Sequence, residues 1–166
     1  MAGFEDLRRS LWDTDSDYGV QPPLTDQAIV EAEGLLTVTL PGSLLDLLRI
    51  RNGGQVSDSR SVFPTSMPTS WSADHVPFDA VMGIGNRERM PSMLDSPYLV
   101  EEWDLPSGTV LIRVMGCGRH REPSVTWFDA DDKTELALAP NFGSFVQGLT
   151  SSSDIANGQS EKHRAE

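Results

Sequence analysis

Apolar and polar positions follow two different rhythms along the chain. From Leu24 to Leu36 the apolar residues Ile29, Ala32 and Leu36 recur at the spacing of one helix face. Thr25 stands before this run as an N-cap, Asp26 sits where a negative charge favours the helix dipole, and Leu24 and Ile29 are spaced to staple the helix start. A second helix is expected just after Leu40. Pro41 suits its first position, and Leu44, Leu45, Leu47 and Leu48 give it a broad apolar face. Arg49 and Arg51 complement its last turn, and Asn52, Gly53 and Gly54 stop it. Only Thr37, Val38, Thr39 and Leu40 join the two helices, so they should pack as a compact pair.

After Gly54 the rhythm becomes short apolar runs separated by Gly, Pro, Ser and Asp, the texture of strands and turns. Candidate strands are Val81–Ile84, Tyr98–Trp103, Thr109–Met115 and Ser124–Phe128, and the polar run Asp129–Lys133 turns the chain into Thr134–Ala139. In the third, Val110, Ile112 and Val114 alternate with Leu111, Arg113 and Met115, which lets one face be buried. A closing helix follows Asn141 as cap, with Phe142, Phe145, Val146 and Leu149 on one face. Strands lie between helices without strand–helix–strand alternation. The expected fold is therefore a single α+β domain, a mostly antiparallel sheet with helices packed on one side. Residues 1–23 read as a lead-in segment and 24–149 as the domain. Residues 150–166 read as a disordered tail, because Ile155 is the one large aliphatic residue after Thr150.

Composition then narrows the partners. The single cysteine, Cys117, excludes an internal disulfide, and residues 1–9 lack the basic-then-apolar run of a secretion signal, so a reducing cytoplasm is the expected compartment. No run approaches the roughly 18 consecutive apolar residues that a membrane span needs. The 25 acidic and 13 basic residues give a net charge of −12. Such a charge repels nucleic-acid phosphates and anionic membrane surfaces, and it favours a protein partner with a basic cleft.

Several motifs come close to chemistry and stop short. Cys117 has Arg119 and His120 near it, which could activate a thiol, but no orienting Asn or Asp is evident, and Cys-x-x-His offers only two metal ligands. His75 and His163 have no ligand-like spacing. Gly83-Ile84-Gly85 begins like a dinucleotide loop, yet Glu88 stands where its third glycine belongs. Asp129, Asp131 and Asp132 resemble a calcium loop until Lys133 takes a ligand position. The expectation is no catalytic residue, no cofactor and no metal, hence no enzyme. What remains are candidate partner-binding residues. Glu101, Glu102 and Asp104 surround Trp103, which is either an anchor in an acidic surface or a core residue of a strand with solvated neighbours. Asp129, Asp131 and Asp132 form a turn that is either merely solvated or touches a partner. Trp71 lies in the Pro/Ser-rich stretch Phe63–Pro77, a natural recognition loop, and is the tryptophan least expected to be buried.

The order Leu24-Thr25, Ala32-Glu33, Leu40-Pro41, a Leu-rich helix and Asn52-Gly53-Gly54 resembles the SUKH superfamily. The resemblance continues through Tyr98 to Pro106, Pro123 to Asp129 and Leu138 to Phe145, and so covers roughly residues 12–149. The stretch Val110–Glu122 is shorter than its counterpart in bacterial relatives and lacks their Gly-His and Asp-Tyr pairs. That superfamily includes fungal cell-wall assembly regulators and bacterial proteins taken to be immunity proteins of toxin systems. The resemblance implies an α+β fold and a non-catalytic role. It points to neutralisation of a cognate toxin, such as a nuclease, or alternatively to an intracellular regulatory scaffold.

Overall fold

The structure is a computed structural model that describes residues 4–85, 92–95, 109–112, 124–129 and 134–164. Its first element is a helix, Phe4–Ser10 (α1), where sequence predicts only a lead-in. Seven residues are too few for a period to show. The element is nonetheless part of the domain: it delivers Leu11 and Trp12 to the core at 0% and 5% exposure. Glu5 and Asp6 in its first turn and Arg8 and Arg9 in its last complement the helix dipole. Arg8 is itself buried and reaches Asp46 at 3.5 Å.

The next helix, Asp26–Leu36 (α2), begins as predicted, with the Thr25 hydroxyl accepting from the Ala28 N–H at 3.2 Å. It buries Ile29 and Ala32, and ends where Thr37 turns left-handed at φ 55°. The third helix, Gly42–Ile50 (α3), has Pro41 at its cap rather than in its first turn, and points Leu44, Leu47 and Leu48 inward. Arg49 bridges back to Asp26 at 3.2 Å on the exposed side, a link that contributes little in water.

Seven strands follow among the described residues, all paired antiparallel. Gly54–Gln55 (β1) pairs with Ala80–Val81 (β4), and Val62–Pro64 (β2) pairs with His75–Pro77 (β3). Thr109–Ile112 (β5), Val125–Asp129 (β6) and Thr134–Ala139 (β7) form a three-stranded sheet with β6 in the middle. The expected strand Val81–Ile84 is thus only Ala80–Val81, and β1, β2 and β3 are too short to show alternation in sequence. The expected strand Tyr98–Trp103 lies outside the described residues, as does Arg113–Met115.

A helix at Phe142–Gly148 (α4) closes the core, its cap Asn141 accepting from the Ser144 N–H at 2.7 Å. Phe145 stacks on Phe63 and meets Phe78 edge-on, both at 5.0 Å between ring centres. Burial of such a side chain stabilises the fold by about 2–3 kcal/mol. Helix α4 also touches α1, α3 and β7, so helices and strands share one core. The fold is the α+β class that the sequence predicts.

The disordered tail is corrected to a helix, Ser152–Arg164 (α5). With no apolar stripe it has no period to read. Its start is set locally instead: the Ser151 hydroxyl accepts from the Asp154 N–H at 3.2 Å, and Asp154 lies in the first turn.

One polar residue ties three segments together. Asn52, 3% exposed, donates to the carbonyls of Pro22 at 2.7 Å and Ile84 at 2.8 Å, and accepts from the Ile84 N–H at 2.8 Å. The backbones approach so closely that a Cβ on Gly83 would fall 2.2 Å from the Asn52 carbonyl oxygen. Gly53, at φ 91°, would place its own Cβ 2.6 Å from the Gly83 nitrogen. Gly53, which helps to stop α3, and Gly83, the first glycine of the segment that resembles a nucleotide loop, therefore serve a tight backbone crossing.

Candidate functional site

The ten residues between β2 and β3, 65–74, form a loop closed by its own polar groups. At its base the Thr65 N–H donates to the Asp74 carbonyl at 2.8 Å. Near its tip the Thr69 N–H donates to the Ser72 carbonyl at 2.9 Å, while the Thr69 hydroxyl accepts from the N–H groups of Trp71 and Ser72. The Thr65 hydroxyl donates to the Met67 carbonyl at 2.9 Å. Ser and Thr side chains thus replace the backbone ladder that a tight turn would supply.

A carboxylate distant in sequence ties this loop to the body of the protein. Asp129 sits at the end of β6 on the same face as Val125 and Trp127, both fully buried, because side chains two apart share a strand face. Its oxygens accept from the Ser70 N–H at 2.8 Å and from the Ser70 hydroxyl at 2.7 Å. Buried carboxylates need such donors, and a charge-assisted pair is roughly twice as strong as a neutral one. Asp129 is 2% exposed, so its expected place on an acidic partner surface is corrected: the side chain clamps the loop from within.

The clamp holds two large apolar side chains in solvent. Trp71 is 56% exposed and Met67 59%. The other described tryptophans behave oppositely, with Trp12 at 5% and Trp127 at 0% serving the core. Beside Trp71, Asp74 accepts from the Ser72 hydroxyl at 3.1 Å and pairs with His75 Nδ1 at 2.6 Å. The His75 hydrogen bond, aided by Ser72, holds the Asp74 carboxyl below the usual aspartate range. Serine, histidine and aspartate lie together here, but Ser72 and Asp74 both meet the same ring nitrogen, with Ser72 at 3.2 Å. A nucleophile and an orienting acid must use opposite nitrogens, so this cluster braces the loop base and is not arranged as a relay.

Of the sequence candidates, Trp71 and Asp129 meet at this loop, one displayed and one buried. Glu101, Glu102, Trp103, Asp104, Asp131 and Asp132 lie outside the described residues, as does Cys117. The Ser70–Asp129 clamp has no signature in sequence, since its halves stand 59 residues apart. The density of Ser and Thr between Thr65 and Ser72 was the available hint. Elsewhere, an open depression is lined by Arg9, Trp12, Thr14, Val20, Ile50 and Arg51, with the Arg51 guanidinium donating to the Ser16 carbonyl. Among the described residues no group of three or more His, Cys, Asp or Glu is placed to hold a metal ion, and no helix is long and apolar enough to cross a membrane.

The architecture is that of a small α+β domain presenting a braced loop. A model of the SMI1 / KNR4 family (SUKH-1) matches residues 23–148, and the chain belongs to that family. No curated protein and no solved structure matches it.

Proposed function

We propose that this chain is a non-catalytic protein-binding domain of the immunity type, which neutralises a cognate toxin by covering a basic surface such as a nuclease cleft. The observation that carries this reading is the excess of carboxylates on a domain of this family, a net charge of −12. Attraction between an acidic domain and a basic cleft speeds encounter and makes the complex salt-sensitive. The braced loop adds support, because a pre-ordered surface loses little freedom on binding. The setting is cytoplasmic, and no cofactor, nucleic acid or membrane takes part.

The test is affinity capture from the native lysate at low salt, followed by expression of the captured protein in a host cell with and without this chain. A basic partner that is released by salt, arrests growth alone and is tolerated in the presence of this chain is the expected result. Capture of several harmless housekeeping proteins would overturn toxin neutralisation and favour a regulatory scaffold.

A further inference from the structure

We propose that the tip of the loop between β2 and β3, led by Trp71 and assisted by Met67, is the anchor of the partner-binding surface, and that it takes an arginine or lysine side chain of a basic polypeptide. The inference rests on the protein-binding reading above and names the surface and the chemistry.

An exposed tryptophan is ordinary when its loop is loose. Here the loop is not loose. Hydrogen bonds within 65–74 and the two from Ser70 to buried Asp129 fix the backbone on both sides of Trp71. The backbone ordering that a flexible loop would need on binding is already complete, and an indole leaves only two torsions to settle. Trp71 at 56% and Met67 at 59% exposure are the two large apolar side chains that this framework holds in water.

Charge selects the occupant. Between Arg60 and Arg87 the sequence has no lysine or arginine, while Asp74 and Asp79 lie within that segment. Asp74, whose side chain is 28% exposed, stands at the loop base, and Asp79 is exposed. No fixed positive charge in this segment opposes a cation approaching the indole, and the whole chain attracts one. The indole face is the most favourable aromatic surface for a guanidinium or an ammonium. An anionic ligand would meet the same field as repulsion.

The test follows the tryptophan indole N–H signals by two-dimensional NMR. The probe is a blocked peptide of alternating arginine and glycine, with lysine and glutamate counterparts, titrated at low salt. Loss of one signal in Trp71→Phe assigns Trp71. The expected result is a saturable shift of that signal with the arginine peptide, a weaker one with lysine and none with glutamate, while the Trp12 and Trp127 signals stay in place. Ser70→Ala, which loosens the clamp by removing the hydroxyl donor but keeps the indole, should weaken arginine-peptide binding several-fold in a protein that remains folded. A shift confined to Trp103, equal shifts of all indoles, or unchanged binding by Trp71→Ala would overturn the proposal. The titration needs no toxin, so its failure is separable from a failure of growth rescue. Peptide binding at Trp71 without rescue would remove the toxin and leave the surface, and rescue without it would do the reverse.

Discussion

Two regions of this molecule each hang on one buried polar side chain, and they use it to opposite ends. At the backbone crossing, Asn52 satisfies the Pro22 carbonyl and both peptide groups of Ile84, and glycines on either side bring the chains into contact. Its bonds join parts of the fold to one another. At the loop between β2 and β3, Asp129 satisfies the Ser70 amide and hydroxyl, and the segment it steadies carries Trp71 and Met67 into solvent. The first arrangement closes a structure; the second displays one. Buried polar groups at 2–3% exposure are thus no guide to function by themselves. What they hold in place decides it.

The comparison can be broken first at the crossing. Gly83→Ala should cost about 4 kcal/mol or prevent folding, because the new methyl meets backbone rather than a movable side chain. A urea midpoint equal to that of the parent would show the crossing to be looser than described. Asn52→Ala should cost about 3 kcal/mol, since it leaves both buried peptide groups of Ile84, and the part-buried Pro22 carbonyl, without their partner. Thermal unfolding checks this, and a loss below that of Ser70→Ala would reverse the ranking of the two regions. Ser70→Ala removes the hydroxyl donor to Asp129 and should cost about 1 kcal/mol, with faster hydrogen exchange at Ser72 and Thr69 than at Ile84, whose N–H is bonded to Asn52. The smallest effect is at Asp74. Its lowered pKa means a stabilising contribution that is present above the ordinary aspartate range and fades as pH falls through the lowered value. An NMR acid titration should find the Asp74 carboxyl titrating below typical aspartates, and His75→Ala should bring it back up.

The parts of the fold legible in sequence are those whose information is local and long enough to repeat. Thr25 and Asn141 cap the helices they were expected to cap, and the span Thr134–Ala139 was read correctly because polar turn residues bound it. Helix α1 and strands β1 to β3 are too short for periodicity, and α5 has no apolar face, so its cap at Ser151 was the one local sign of it. The loop was legible as a long surface segment from its composition, and Trp71 as its exposed aromatic. Its clamp was not. Asp129 reads as one more acid in an acidic turn until the strand pairing places it on the buried face of Trp127 and within reach of Ser70. Asn52 likewise reads as a helix stop, because the groups it binds arrive from Pro22 and Ile84, both distant in sequence.

The most direct test of the account is growth of a host producing the captured basic protein together with either the parent chain or Trp71→Ala, at matched expression and melting temperature. The account predicts that the parent rescues growth and that Trp71→Ala does not, with its affinity for the captured protein reduced about tenfold or more, as loss of a central aromatic anchor entails. Equal rescue by both proteins would contradict the role given to the displayed loop, and rescue by neither would contradict toxin neutralisation itself.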